Sequence, residues 1–179
     1  AEETISESGL LMVQMEVNMD ATYKTLEIAH SNNVPIIMNP APAQKISDEV
    51  YEMIDYLTPN ETEAEILTGI RTDSIENIKK AAEWLYAKGV KNVIVTMGKD
   101  GVYIKNKDIE MIVPSFSVKA VDTTGAGDAF NGCLAVALLE GRDVADAARF
   151  ANAGAALSVM KPGTAPAMPF RNEIDNFLE

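Results

Sequence analysis

The stretch Asp122-Thr-Thr-Gly-Ala-Gly-Asp-Ala-Phe130 combines glycines with carboxylates and runs directly into an apolar segment with helical character, residues 128–140. Gly125 and Gly127 allow a tight turn and the close approach of a ligand to the backbone. The first N–H groups of a helix are unpaired, and its dipole is positive at that end. These features together predict an anion site that suits a phosphate group.

Asp128 is unusual in this setting, because a carboxylate beside a phosphate is electrostatically unfavourable. A general base that takes the proton from a hydroxyl nucleophile would explain its position. A plain loop with a helix cap is the alternative, and the stretch by itself leaves it open. The chain has no Gly-x-x-x-x-Gly-Lys-Ser/Thr motif, which excludes a P-loop protein. Phe130 stands where the dinucleotide fingerprint needs a third Gly or Ala.

Composition and charge narrow the function further. With 179 residues, a single soluble domain is expected, and the net charge of −12 argues against nucleic acid or a membrane surface as a partner. Local N–H groups and a metal ion can still bind a phosphorylated ligand. The single cysteine, Cys133, excludes an internal disulfide and is expected to be a buried, inert thiol. His30 lies in no catalytic or metal-binding constellation.

Strands alternate with helices along the chain. The predicted strands are 10–15, 34–38, 56–58, 92–97, 102–104 and 109–113, and the predicted helices are 20–33, a short one after Ser47, 60–69, 72–88, 128–140 and 143–160. Continuously apolar strands in this order predict an α/β fold with a mainly parallel sheet and helices on both faces. The helix 128–140 is apolar on nearly every face and is expected to be buried. Ligands of such sheets lie at the carboxyl ends of the strands.

Two further segments follow predicted strands. In Thr58-Pro-Asn-Glu-Thr-Glu-Ala-Glu65, Asn60 and Glu63 have the spacing of a capping box, and they could also face a metal–phosphate group. Thr96-Met-Gly-Lys-Asp-Gly101 is a glycine-rich turn, which could be a hairpin connection or a backbone contact for a nucleotide. Asn152, among small neighbours, could form one wall of a base pocket. Each of these segments allows both interpretations when taken alone.

Together, these segments resemble the ribokinase branch of the PfkB carbohydrate kinases, and the resemblance covers essentially the whole chain. Residues 122–130 match the family's C-terminal signature, and Asn39-Pro-Ala-Pro-Ala43 and Thr58–Glu63 are similar to ribokinase. The resemblance implies a ribokinase-like, Rossmann-type three-layer sandwich. It also implies ATP-dependent phosphoryl transfer to a sugar hydroxyl, with ribose 5-phosphate as the product if the sugar is ribose.

The resemblance assigns roles to the reacting and nucleotide-binding positions. Asp128 would be the base that takes the proton from the primary hydroxyl of the sugar, and Glu16 would contact the sugar. Asn60 and Glu63 match the family's phosphate and Mg²⁺ motif. The anion hole would consist of Gly125, Ala126, Gly127 and the backbone of Asp128. The nucleotide contacts would be Thr96, Met97, Gly98, Lys99, Asp100, Gly101, Gly127 and Asn152.

The resemblance also implies an activating monovalent cation, K⁺, held largely by carbonyl oxygens of two loops. The matching positions are Asp122, Thr124, Ser158, Lys161 and Gly163. Lys161 would contribute its carbonyl oxygen, not its ammonium group. Ala167 stands where a polar residue is expected near this cation, which leaves the last cation ligand open.

By the same resemblance, residues 1–179 form the C-terminal nucleotide-binding and catalytic portion of a sugar kinase, without the N-terminal segment that supplies most sugar contacts, several strands and a lid. We therefore expect an incomplete sheet with an exposed edge and little or no kinase activity from the isolated chain. The expected partners are a small-molecule sugar and ATP in the cytoplasm, with a homodimer left open for the full-length protein.

Three alternatives remain open at this point. The first is another PfkB kinase, such as a fructokinase or a nucleoside kinase. The second is a nucleotide-binding module without catalysis. The third is a dinucleotide-dependent oxidoreductase, which Phe130 disfavours.

Overall fold

The computed structural model describes all residues from 1 to 179, which form eight α-helices and six β-strands. The helices are α1 (Glu2–Ser6), α2 (Met19–Ser31), α3 (Asp48–Tyr51), α4 (Glu61–Thr68), α5 (Ile75–Ala87), α6 (Ala126–Leu139), α7 (Val144–Ser158) and α8 (Arg171–Leu178). The strands are β1 (Leu11–Val13), β2 (Ile36–Met38), β3 (Tyr56–Leu57), β4 (Asn92–Thr96), β5 (Val102–Lys105) and β6 (Glu110–Val113). Single 3₁₀ turns cover Gly98–Asp100 and Ala165–Ala167.

The six strands form one sheet in the order β1-β2-β3-β4-β5-β6. The first four strands pair in parallel, with Leu11 opposite Ile36, Ile37 opposite Tyr56, and Leu57 opposite Val93. Strands β5 and β6 are joined by four residues, which is too short for a parallel crossover, so they form an antiparallel hairpin. The predicted α/β fold with a mainly parallel sheet is therefore confirmed, and β1 is an edge strand.

The chain divides into two compact units. Unit 1 comprises residues 1–97 and 103–111, and unit 2 comprises residues 98–102 and 112–179. The core of unit 1 is built from the apolar residues of the parallel strands and of the helices that connect them. Fully buried examples are Leu26, Ile36, Met38, Leu57 and Leu85. Complete burial of β2 explains why this strand is apolar along its whole length.

Unit 2 is mainly helical and depends on close packing between α6 and α7. The buried face of α7 consists largely of alanines, and a Cβ on Gly154 would lie 2.3 Å from the Cys133 Sγ atom. Only glycine allows this approach of the two helices. Burial raises the pKa of the Cys133 thiol to about 11, which agrees with the inert thiol that the sequence predicts.

Some local expectations differ from the structure. The helix of residues 128–140 was expected to be buried on nearly every face, yet Val136 and Leu139 are 45% and 58% exposed. Helix α2 begins after Asn18, whose Oδ1 atom accepts from the N–H groups of Asp20 and Ala21, so the cap is not Asp20. Helices α1 and α8 were not predicted.

None of the helices combines the length and the apolar character needed to cross a membrane.

Candidate functional site

In unit 1, the predicted site residues lie at the carboxyl ends of the parallel strands. Glu16 follows β1 and is exposed, while Thr96 is the last residue of β4. Asn60 follows β3 and forms an isolated parallel bridge with Thr96. Three of the predicted residues therefore lie at the same end of the sheet, where open α/β sheets bind their ligands.

The start of α4 is a complete capping box. The Asn60 side chain accepts from the Glu63 N–H at 2.8 Å, and Glu63 Oε2 accepts from the Asn60 N–H at 2.8 Å. The structural interpretation of this pair is thus confirmed. Glu63 is only 9% exposed, and this burial raises the pKa of its carboxyl above the usual 4.5, against the opposing effect of its bonds to Asn60.

In unit 2, the residues predicted to bind phosphate lie at the start of α6. Gly125 is the residue before the helix and has φ = +78°, a left-handed conformation that favours glycine. Helices α2, α4, α5 and α7 all begin with a side chain that accepts from a main-chain N–H, whereas no side chain caps α6. The start of α6 therefore retains main-chain N–H groups that suit an anion.

Gly127 has a different character from Gly125. It lies in the first turn of α6 at an ordinary helical φ, and no heavy atom lies within 4 Å of the position that a Cβ would take. Neither its conformation nor its packing requires glycine in this chain. Open space at a helix start without a side-chain cap is what the close approach of a ligand would need.

Asp128 is the third residue of α6, and its side chain is exposed. A carboxylate in the first turn of a helix is stabilised by the helix dipole, so its place also has a structural explanation. Asp128 is not the cap of α6, because the capping position belongs to Gly125, which has no side chain. An exposed carboxylate beside the N–H groups of a helix start can accept a proton from a hydroxyl.

The residues expected around a monovalent cation are partly tied together by the Asp122 side chain. Its Oδ1 atom accepts from the Thr124 N–H at 2.9 Å, and its Oδ2 atom accepts from the Gly163 N–H at 3.0 Å. Hydrogen bonds from Thr124 and from Gly163 lower the pKa of the Asp122 carboxyl below its usual value of 3.8. The side chain of Asp122 thus holds the two loops together.

The loop after α7 is held from a second side. Lys161 Nζ donates to Glu173 Oε1 at 2.9 Å, and Glu173 Oε2 accepts from the Phe170 N–H at 2.7 Å, so Glu173 joins this loop to the start of α8. The Lys161 ammonium group is therefore engaged elsewhere, as expected for a residue that would offer only its carbonyl oxygen. The Ser158 hydroxyl donates to Ala155 O, and Ala167 is 1% exposed and adds no polar group.

Gly101, which follows the Gly98–Asp100 turn, and Asn152 both lie against the end of β6. Asn152 is 4% exposed, and its Nδ2 atom donates to the carbonyl oxygens of Val113 and Pro114, each at 3.1 Å. A Cβ on Gly101 would lie 2.2 Å from Val113 O. Both residues thus shape the backbone of this segment, and the amide of Asn152 is used for that purpose. Lys99 and Asp100 are exposed.

A cleft of about 530 Å³ lies elsewhere in unit 1, at the amino end of β4. Asn92 and Asn106 line it and are hydrogen-bonded to each other at 2.9 Å. It lies at the end of β4 opposite to Thr96 and contains none of the predicted site residues. Of those residues, unit 1 contains Glu16, Asn60, Glu63, Thr96 and Met97, and unit 2 contains the others.

The sequence is similar to several sugar kinases. The family model of the pfkB family carbohydrate kinases matches residues 3–171. The ribokinase of Haemophilus influenzae is 43% identical over 179 residues, which are 100% of this chain and 58% of the relative. The deoxyribokinase of Salmonella typhi is 40% identical over 99% of this chain and 58% of its own length. The chain thus spans less than two thirds of either relative.

Solved structures agree with this assignment. The Arabidopsis thaliana ribokinase complexed with ribose and ATP is 32% identical, with a TM-score of 0.95 over 99% of this chain and 58% of that one. An E. coli structure with ATP and Mg²⁺ bound, from a candidate ribokinase II, is 27% identical, with a TM-score of 0.83 over 99% of this chain and 61% of that one. This chain therefore belongs to the pfkB family of carbohydrate kinases.

Proposed function

We propose that these residues belong to an enzyme that transfers the γ-phosphoryl group of ATP to the primary hydroxyl of ribose and releases ribose 5-phosphate. The observation that carries the proposal is the start of α6. No side chain caps this helix, and Asp128 is its third residue. The similarity to ribokinases and to a ribokinase complexed with ribose and ATP supports the choice of substrates.

In this mechanism Asp128 accepts the proton of the sugar hydroxyl as the hydroxyl oxygen attacks the γ-phosphorus of ATP, whose bond to the bridging oxygen breaks so that ADP leaves. The main-chain N–H groups at the start of α6 stabilise the negative charge on the transferred group, helped by the helix dipole. Glu16 would orient the sugar. Transfer of a phosphoryl group depends largely on positioning and charge neutralisation, and these groups would contribute to both.

The donor set in unit 1 fits a magnesium–nucleotide complex. Mg²⁺ keeps several waters and takes few protein carboxylates, so the one buried carboxylate of Glu63, acting through water, suffices on the protein side. When bound, Mg²⁺ would neutralise charge on the phosphates of ATP. The backbone of Thr96–Gly101 is proposed to contact the nucleotide, with Asn152 supporting that pocket through its hold on Val113 and Pro114.

An activating K⁺ belongs to the same proposal. Asp122 holds the loop of Gly163 beside the segment that leads into α6, so a cation bound to carbonyl oxygens of these loops would stabilise the helix start that binds phosphate. A cytoplasmic location and a homodimeric full-length protein are further parts of the proposal, which rest on the family resemblance.

Two measurements test the proposed function. In the first, a polypeptide of the relatives' length that carries this sequence is titrated with ATP plus Mg²⁺ and, separately, with NAD, and both affinities and amide NMR shifts are recorded. We expect ATP to bind, NAD not to bind, and the amides of residues 125–128 to shift. Unperturbed amides at the start of α6 would refute the assignment.

A second candidate is phosphorylation of 2-deoxyribose, because a deoxyribokinase is 40% identical over nearly the whole chain. Ribose carries one hydroxyl that 2-deoxyribose lacks. A site rejects 2-deoxyribose strongly only if it hydrogen-bonds to that hydroxyl. The second measurement therefore compares kcat/KM for ribose, 2-deoxyribose, fructose and a nucleoside in a polypeptide of the relatives' length that carries this sequence.

A further inference from the structure

Asn39 directly follows β2, the strand between β1 and β3, and is only 8% exposed. Its side-chain Oδ1 atom accepts from Gln14 Nε2 at 3.1 Å, and its Nδ2 atom donates to Thr58 O at 2.9 Å. Its main-chain N–H donates to Val13 O at 2.9 Å. The Asn39 side chain thus connects the segment after β1 to the segment after β3.

The contact with Gln14 is one of several hydrogen bonds between the segment after β1 and the loop that begins at Asn39. The Met15 N–H donates to Ala41 O at 2.9 Å, and Gln44 Nε2 donates to Met15 O at 3.1 Å. The loop that begins at Asn39 therefore fixes the backbone up to Met15. Glu16, the residue expected to contact the sugar, comes next and is exposed.

The contact with Thr58 fixes the turn that leads into α4. The Thr58 N–H donates to Met38 O at 3.0 Å, and Pro59 O accepts from the Thr96 N–H at 2.9 Å. The next residue, Asn60, opens the capping box with Glu63. The position of the proposed nucleotide and Mg²⁺ ligands therefore depends on a carbonyl that Asn39 holds.

Asparagine suits this place because one short side chain offers both a donor and an acceptor. An aspartate would have nearly the same shape and could still accept from Gln14. At neutral pH it would have no proton to donate, and its charge would face the carbonyl oxygen of Thr58 in a buried position. Asn39→Asp therefore removes one contact of the two.

We propose that Asn39 is a positioning residue that couples the Glu16 segment to the turn carrying Asn60 and Glu63, an inference that rests on the proposed function. A nucleotide that binds at Asn60 shifts the Thr58 carbonyl, and Asn39 passes the shift to Gln14 and Glu16. Groups that orient the ligands of a metal typically change its affinity by about 10- to 100-fold when they are replaced.

Asn92 provides a matched control within the same unit. Its Nδ2 atom donates to Asp55 O at 3.0 Å, and its Oδ1 atom accepts from Asn106 Nδ2 at 2.9 Å. It therefore makes the same two kinds of contact as Asn39, but at the amino end of the sheet. Asn92→Asp should destabilise the fold in a comparable way without touching the carboxyl ends of the strands.

The experiment measures the dissociation constant of ATP with Mg²⁺, the amide shifts and the melting temperature of a polypeptide of the relatives' length that carries this sequence. We expect Asn39→Asp to weaken binding by about tenfold or more. Asn92→Asp should change binding by less than about twofold while lowering the melting temperature similarly. In the wild-type chain the Glu16 amide should shift when ATP binds, and this response should vanish in Asn39→Asp.

A second variant keeps the test informative if Asn39→Asp does not fold. Gln14→Met has a similar shape and removes the donor to Asn39, so ATP should bind with normal affinity while the Glu16 response is lost. Equal binding by Asn39→Asp and Asn92→Asp, or an unchanged Glu16 response in Gln14→Met, would overturn the coupling. Failure of the wild-type chain to bind ATP would instead overturn the proposed function itself.

Discussion

The Asp122 carboxylate accepts a hydrogen bond from the Gly163 N–H at 3.0 Å, and this bond joins the segment before α6 to the loop after α7. The other oxygen of the carboxylate accepts from the Thr124 N–H. Because hydrogen bonds lower the pKa of Asp122, its contribution to stability is present above pH 3.8 and is lost as the pH falls below that value.

The first prediction concerns Asp122→Asn. The new amide group can accept from only one main-chain N–H, so the bond to Gly163 or the bond to Thr124 is lost. We expect K⁺ to raise the melting temperature of the wild-type chain relative to a large organic cation, and to do so much less in the variant. Asp143→Asn, at the α7 cap, is the control, and its K⁺ response should remain normal. Equal K⁺ responses in Asp122→Asn and the wild type would contradict the cation proposal.

The second prediction concerns Asp128→Asn in a polypeptide of the relatives' length. Removing a general base lowers turnover by about 10²- to 10⁴-fold, whereas binding of ATP should change little. Steady-state kcat and the dissociation constant for ATP measure the two effects separately. Asp146 has the same place in the first turn of α7, so Asp146→Asn controls for the lost helix-dipole interaction. Near-normal turnover of Asp128→Asn would refute the base assignment.

The third prediction is a pH dependence that arises from Glu63. Since burial raises the pKa of this carboxyl above 4.5, the Glu63 side chain stays protonated to a higher pH than an exposed glutamate does. Its stabilising effect is complete below pH 4.5 and is lost as the pH rises through the raised pKa. Binding of Mg²⁺ needs the carboxylate, so affinity for Mg²⁺–ATP should increase with pH over the same range.

The phosphates of ATP also titrate near this range, so the measurement needs a matched variant. Glu63→Gln keeps an acceptor for the Asn60 N–H but cannot titrate. Calorimetric affinities at several pH values should show a steeper rise for the wild type than for Glu63→Gln. Parallel curves for the two proteins would show that Glu63 does not bind the metal complex.

The fourth prediction is structural and concerns Gly101, which has φ = +93° and lies against the end of β6. Gly101→Ala combines an unfavourable left-handed conformation with a clash against Val113 O, and should cost about 2–5 kcal/mol of the free energy of unfolding. Gly98 has φ = +54° but open space around it, so Gly98→Ala should cost only about 1–2 kcal/mol. Urea unfolding of both variants checks the difference.

Short continuous apolar runs were sufficient to predict the strands, since the strands in the middle of a parallel sheet are buried on both faces, and apolar residues at helical spacing predicted the longer helices. Helix α8 was missed because Phe170, which precedes it, offers no capping side chain, and the Phe170 N–H instead donates to Glu173. The cap of α2 was placed two residues too late because Asp20 and Asn18 are both acceptable caps in sequence.

Site residues were predicted only where they form a short, contiguous motif. The glycines before Asp128 and the pair Asn60 and Glu63 could be found from spacing and resemblance. Asn39 was noted only as part of the stretch 39–43 that is similar to ribokinase. Its role depends on contacts with Gln14 and Thr58, which are 25 and 19 residues away along the chain. Contacts of that kind arise from strand order and register, which one sequence does not specify.

The capping box at Asn60 has a consequence for how this member of the pfkB family could change during evolution. The same carboxylate closes the first turn of α4 and is proposed to bind the magnesium–nucleotide complex. A descendant that no longer phosphorylated sugars would still gain stability by retaining glutamate there. A glutamate at this position in a distant homologue is therefore weak evidence that the homologue is an active enzyme, whereas the exposed Asp128 is a better diagnostic.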